Sequence, residues 1–150
     1  MHIVFVEPEI PPNTGTTARL CAATQSSLHL VGPLGFSLED RYLKRAGLDY
    51  WPAVDLHVYG SWSAFLEQRP PGRLLAFSAR AQRSYTTVRY QPDDLLVFGS
   101  ETRGLSEAIR TEYAETLYTI PMPGAQVRSL NLSNAAAVVL YEALRQLGQV

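Results

Sequence analysis

The chain has 150 residues, 46% of them hydrophobic and 18% charged, with a formal net charge of -1. That is enough apolar material for one domain with a real core, and it excludes a disordered chain. No apolar run spans a bilayer, the N-terminus lacks the pattern of a signal peptide, and a single cysteine, Cys21, excludes an internal disulfide and fits a reducing cytoplasm.

A β-rich run over His2–Val6 opens the chain and leads into "EPEIPPNTGTTARLC" at residues 7 to 21, where Pro11 and Pro12 form a rigid elbow before a helix over Thr14–Thr24. Next come a strand over Leu28–Val31, a helix over Glu39–Ala46, a strand over Val54–Tyr59 and a helix over Ser61–Gln68. "RPPGR" at 69 to 73 is a loop before the strand Arg73–Phe77. Leu95–Phe98 is apolar throughout, as a strand buried on both faces should be. A helix over Ser106–Tyr113 and a strand over Thr116–Ile120 precede the last helix, Leu132–Leu147, whose Leu132, Ala136, Val139, Ala143 and Leu147 share one face. Asn131 or Ser133 could cap that helix, and Gly148 stands where it should stop; Tyr141 lies off the apolar stripe. Strands alternating with helices imply an α/β fold, a mostly parallel sheet flanked by helices on both faces.

In such a sheet, ligands bind beyond the carboxyl ends of the strands. "SARAQRSY" follows Phe77, "GSETRGL" follows Phe98 and "PMPGAQVRSLNLSN" follows Ile120. The last two are longer and richer in glycine and polar residues than a turn requires, and Gly99 and Gly104 would let backbone approach a ligand. Ser129, Asn131, Ser133 and Asn134 crowd the mouth of the last helix, either as a capping cluster or as part of a site. Neither a dinucleotide fingerprint nor a P-loop is present. Ser100 has no G-x-S-x-G context. His2, His29 and His57 fall in separate strands as core or edge residues, and no Cys or His pair has metal-ligand spacing. Apart from Lys44, every one of the 13 basic side chains is arginine, whose planar fork suits phosphates, although genome composition produces the same bias.

"PEIPPNTGTTARLC", "LVFGSETRGL" and "IPMPGAQVRSLNLSNAAAVVLYEA", in this order, resemble the three motifs of the SPOUT class of RNA methyltransferases. With "RAGLDYW" at 45 to 51 and the short length, the resemblance is to the YibK/TrmL branch and covers nearly the whole chain. It implies a C-terminal deep trefoil knot, a homodimer with the last helix in the interface, and S-adenosyl-L-methionine as cofactor, leaving S-adenosyl-L-homocysteine, with no metal. The implied reaction is methylation of a ribose 2'-hydroxyl at the wobble position, 34, of tRNA, on cytidine or uridine and in leucine tRNAs. The motif positions match Phe77, Ser78, Gly99, Gly104, Ile120, Met122, Ser129 and Leu130 for the cofactor. Arg19 matches the arginine implicated in activating the hydroxyl, and Tyr141 takes a place near the interface and the transfer site. Asn13, Arg41, Lys44, Arg45 and Arg128 are the expected substrate-holding residues, with Asn13 also capping the helix that bears Arg19. The sequence departs from the branch at Ala23, Gln25, Ala81 and Ser100, and it ends at "QLGQV" without the tail some relatives carry. Two alternatives stay open: methyl transfer to another RNA such as ribosomal RNA, or a homologue that keeps the cofactor pocket without turnover.

Overall fold

A computed structural model of the chain describes residues 1–47 and 50–150, without the side chain of Lys44. Six strands form one sheet in the order β3-β2-β1-β5-β4-β6: β1 (His2–Val6), β2 (Ser27–Val31), β3 (Asp55–Tyr59), β4 (Leu74–Phe77), β5 (Leu95–Phe98) and β6 (Leu117–Tyr118). Every pairing is parallel. Five α-helices accompany them: α1 (Pro11–Thr24), α2 (Arg41–Gly47), α3 (Trp62–Gln68), α4 (Glu107–Glu112) and α5 (Leu132–Gln146).

The period-2 geometry of a strand sorts its side chains between two layers. Ile3, Phe5, Leu28, Leu30, Leu75, Phe77, Leu96 and Phe98 pack with Ala18 and Cys21 of α1 and with Ala136, Val139, Leu140, Ala143 and Leu144 of α5. Val4, Val6, Val31, Leu74, Ala76, Leu95 and Val97 turn the other way, against Phe65 of α3 and Ile109 of α4. The central strands are therefore apolar on both faces because both faces are covered. Cys21 is buried in the first layer, and desolvation pushes its thiol up to about 12, so it is a packing residue. Among the described residues no helix is long and apolar enough to cross a membrane.

The strand order positions the site. The chain leaves β1 toward β2 on one side and leaves β5 toward β6 on the other, so the strand order reverses between these two neighbours, and the segments that follow them meet at their carboxyl ends. From edge strand β6 the chain then returns to α5, which packs back on α1.

Several boundaries differ from the sequence expectation for local reasons. α1 begins at Pro11, before Thr14: the two prolines are its first helical residues, where an N–H would find no intrahelical partner anyway. Ile10 occupies the cap position without a side-chain bond, so Asn13 is not the cap; it lies buried in the first turn. α2 starts at Arg41 because the Asp40 carboxylate accepts the N–H groups of Tyr42 (2.7 Å) and Leu43 (3.3 Å). β6 ends at Tyr118, since Thr119 pairs instead with Ser84. At α5 the choice between caps falls on Asn131, whose side-chain oxygen accepts from the N–H groups of Ser133 and Asn134 at 3.0 and 3.2 Å. Gly148, left-handed, ends the helix. α2 lies close on α1: a Cβ at Gly15 would meet the Ala46 Cβ at 2.6 Å and the Leu43 carbonyl at 2.7 Å.

The three histidines, distant in sequence, are brought together by the parallel register of β1, β2 and β3. His29, 1% exposed, shares a hydrogen bond with His2 (3.1 Å) and another with the Tyr59 hydroxyl (3.0 Å). His57 stacks on it with ring centroids 4.8 Å apart and bonds Asp55 at 2.9 Å. Among the described residues no group of three or more His, Cys, Asp or Glu side chains is placed to hold a metal ion. Burial, with the neighbouring imidazoles adding, pulls His29 down to about 3. The unfolded chain takes up this proton near the ordinary histidine value while the folded chain refuses it. Stability is therefore complete above about pH 6.5 and falls as pH drops from there toward 3, by on the order of 2 kcal/mol at pH 5. Urea midpoints measured from pH 7.5 to 5 should fall in the native protein and stay flatter in His29→Gln; parallel curves would remove His29 as the source.

Candidate active site

A cavity of about 770 Å³ opens at the carboxyl ends of β4, β5 and β6, within the range of small-molecule sites. Three segments wall it: 77–80 after β4, 98–105 after β5 and the return from Thr119 into α5, with Ile10 and Asn13 contributed by the start of α1. All eight residues matched to cofactor binding line it: Phe77, Ser78, Gly99, Gly104, Ile120, Met122, Ser129 and Leu130. So do Asn13 and Arg128. Phe77, Phe98, Ile120, Met122, Leu130 and Leu132 make the wall largely apolar, while Ser78, Ser100, Thr119 and Asn131 add polar groups. Apolar surface interrupted by a few convergent polar groups is the usual lining of a small-molecule site.

One carboxylate joins the last two of these segments to the start of α1. Glu101, on the segment after β5, accepts the backbone N–H of Glu9 at 2.7 Å and that of Ile10 at 3.0 Å, and so caps α1 from outside the helix. Its Oε1 also accepts from the Asn13 side-chain amide at 3.1 Å. The Asn13 carbonyl oxygen in turn accepts from the Asn131 amide at 2.8 Å, and Asn131 caps α5. Glu101, Asn13 and Asn131 thus form a continuous chain of hydrogen bonds through the three motif segments. A second link runs the other way: the Glu9 carboxylate accepts from the Thr102 hydroxyl at 2.7 Å and N–H at 3.3 Å. Arg103 bonds Glu7 at 3.0 Å beside it.

Gly99 has no room for a side chain even without a ligand. A Cβ there would lie 2.0 Å from the Gly104 carbonyl carbon and 2.1 Å from the Leu105 nitrogen, so the loop folds on its own backbone. Gly104 closes it, donating its N–H to the Ser100 carbonyl at 2.9 Å with a φ of +68°.

The remaining candidates lie elsewhere. Within one chain Arg19 does not line the cavity; it is exposed, and its guanidinium carbon lies 4.9 Å from the centroid of the Tyr50 ring. Tyr141, 48% exposed, faces outward from α5 in a shallow recess with Tyr85, Val138 and Val150. Arg41 and Arg45 sit on α2, away from the cavity lining, and Arg41 folds onto its neighbour Tyr42. The side chain of Lys44 lies outside the described residues. Sequence reasoning missed Glu101 and Arg80, both in the lining. Each stood inside a segment singled out for its glycines or its place after a strand, and a lone charged residue in a loop carries no signal of its partner.

Comparison with known proteins fixes the family. The model of the SpoU rRNA Methylase family matches residues 1–141. The chain is a SpoU methylase. It is 50% identical to the tRNA (cytidine(34)-2'-O)-methyltransferase of Methylovorus glucosotrophus over 145 residues, 96% of this chain and 94% of that one. With the protein of the same name from Polaromonas sp. strain JS666 it shares 51% identity over 151 residues, 98% of this chain and 91% of the relative. A solved structure described as giving structural insights into the 2-OH methylation of C/U34 on tRNA superposes with a TM-score of 0.94 at 50% identity, over 99% of this chain and 97% of that one. The SpoU methyltransferase AviRb of Streptomyces viridochromogenes, solved with AdoMet, gives a TM-score of 0.86 at 26% identity, over 98% of this chain and 57% of that one.

In this SpoU methylase Glu101 is the test of whether the three segments depend on one another. Glu101→Ala strands two backbone N–H groups and an amide, which should lower the unfolding free energy by about 1.5–3 kcal/mol, the range for hydrogen bonds to a charged group. An unchanged urea midpoint would show that the segments hold without it.

Proposed function

We propose that the chain transfers the methyl group of S-adenosyl-L-methionine to the ribose 2'-hydroxyl of cytidine or uridine at position 34 of tRNA, with leucine tRNAs as acceptors. The observation that carries this reading is the identity of 50% and 51%, over nearly the full length of both chains, to relatives named tRNA (cytidine(34)-2'-O)-methyltransferase. The cytoplasm, where a buried lone Cys21 stays reduced, suits the reaction.

The cavity fits the cofactor by size and chemistry. Phe77, Ile120, Met122 and Leu130 would take the adenine, and Ser78 and Ser129, with backbone groups around Gly99 and Gly104, would take its polar parts. When bound, the cofactor supplies a methyl group on a positively charged sulfur. The chain's own contribution is placement and charge. Holding the acceptor oxygen in line accounts for much of the acceleration, since well-placed partners are worth roughly 7–11 kcal/mol. Arg19, whose side-chain type does not give up its proton in proteins, stabilises the negative charge growing on that oxygen and grips the adjacent phosphate.

Arg19 and Tyr141 lie outside the cavity of their own protomer, so the reading includes a homodimer in which they face the partner's cavity. The exposed Val138 and Tyr141 of α5, in the recess with Val150, support α5 as part of that interface. Asn13 serves the acceptor side indirectly, by tying the segment before Arg19 to the cavity wall. Arg128 and, on α2, Arg41, Lys44 and Arg45 hold RNA phosphates.

Arg19→Ala should lower methylation of position 34 by about 10²-fold or more, the usual cost of losing one such group. Mass spectrometry of tRNA isolated from cells lacking the gene, methylated with the purified protein, reads the rate and the nucleotide. Calorimetric binding of S-adenosylmethionine should be unchanged; full turnover in the variant would remove Arg19 from the chemistry. Affinity for tRNA should fall steeply between 50 and 200 mM salt if arginines meet phosphates. A flat response would argue against those contacts.

A further inference from the structure

None of the described residues of "RAGLDYW" lines the cavity, yet its tyrosine touches the residue on which the proposed chemistry turns. The Arg19 guanidinium lies over the Tyr50 ring at 4.9 Å, and among the described residues it has no hydrogen-bond or ion-pair partner. We infer that Tyr50 is the positioning residue for Arg19, holding the guanidinium plane by its ring face so that the N–H edge stays free for the acceptor ribose and its phosphate. This rests on the reading of Arg19 given above.

A carboxylate would hold an arginine more firmly, but it would occupy two N–H groups and cancel the charge. Arg73 shows that outcome here: Asp94 takes its Nε and Nη2 at 2.8 and 2.7 Å, and that arginine serves structure. An aromatic face instead attracts the cation through its quadrupole and leaves the five N–H donors pointing sideways. Arg41 supplies the contrast on the same surface. It also lies over a tyrosine, but donates to the Tyr42 hydroxyl at 2.8 Å and so closes on itself.

Tyr50 is itself fixed. Its carbonyl accepts the Ala53 N–H at 2.8 Å, starting the 3-10 turn Trp51–Ala53, and Trp51 packs half-buried against the core layer of α1 and α5. On the other side, the close approach at Gly15 locks α2 onto the helix that carries Arg19. The backbone next to Tyr50 is thus tied, through Trp51, to the core layer that includes the helix bearing Arg19.

The test compares Tyr50→Leu and Tyr50→Phe with the native protein and with Arg19→Ala. Tyr50→Leu should slow single-turnover methylation by between about twofold and thirtyfold, the span of ring–cation contacts from exposed to desolvated sites. S-adenosylmethionine affinity and thermal midpoint should stay native, and Tyr50→Phe, which keeps the ring, should restore the rate. In nitrogen–proton NMR spectra the Arg19 Nε–Hε signal should carry a ring-current shift that Tyr50→Leu removes and Tyr50→Phe keeps. A native rate in Tyr50→Leu, equal slowing in both Tyr50 variants, or an unmoved Arg19 signal would overturn the inference. A fully active Arg19→Ala would instead overturn the role of Arg19 itself.

Discussion

The site depends on a carboxylate that belongs to none of the elements it organises. Glu101 rises from the loop after β5 and takes the N–H groups of Glu9 and Ile10, the two residues that lead into α1, whose own sequence supplies two prolines and no capping side chain. A helix whose cap lies in a distant segment cannot settle before that segment is in place. Through Asn13 the same oxygen reaches Asn131, the cap of α5. Two helix starts and one loop are therefore set by one connected group of side chains, and all three contribute to the wall of the cavity. Because Glu101 replaces a local cap, the order of α1 reports the order of the pocket.

That arrangement explains what was legible in the sequence. The parallel sheet could be read because strands covered on both faces must be apolar at successive positions, and Leu95 to Phe98 are. The cavity residues could be read because a parallel sheet concentrates its irregular backbone at one end, so the segments after Phe77, Phe98 and Ile120 had to meet. The start of α1 was misplaced because Pro-Pro signals a bend as readily as a first turn, and only the absence of helical N–H partners there distinguishes the two. Asn13 looked like a cap for the same reason. The histidine cluster was illegible: His2, His29 and His57 become neighbours only through the order β3-β2-β1 and its register. Gly99 was singled out as a place where backbone would approach a ligand; that the Gly104–Leu105 backbone also bars a side chain there depends on how the loop folds.

The geometry of a single chain also divides the proposed chemistry in two. Everything matched to the cofactor lines one cavity, while Arg19 and Tyr141 lie on outward surfaces of α1 and α5. A cavity for the donor that is closed within one protomer can be preorganised without the acceptor. An acceptor side that needs a second surface admits a bulky RNA only after that surface is assembled. On the proposed reading this separates the two binding events, which a pocket holding both substrates in a single chain of this size could not do.

The slight net negative charge is no obstacle to an RNA substrate once the arginines are sorted by what holds them. Arg73 and Arg145 are paired with carboxylates, Arg103 is shared between Glu7 and Glu9, and Arg83 and Arg110 are bound to backbone carbonyls. The carboxylate pairs largely cancel in the surrounding field, while Arg83 and Arg110 keep their charge with some of their donors already taken. Arg80 and Arg128, exposed in the cavity lining, have no such partner among the described residues, and Arg19 has only a ring. The field that an approaching phosphate meets is set by the guanidiniums left free, and Arg80, Arg128 and Arg19 put part of it at the cavity and on α1. A formal charge near zero averages over that difference, whereas a phosphate oxygen a few ångströms away does not.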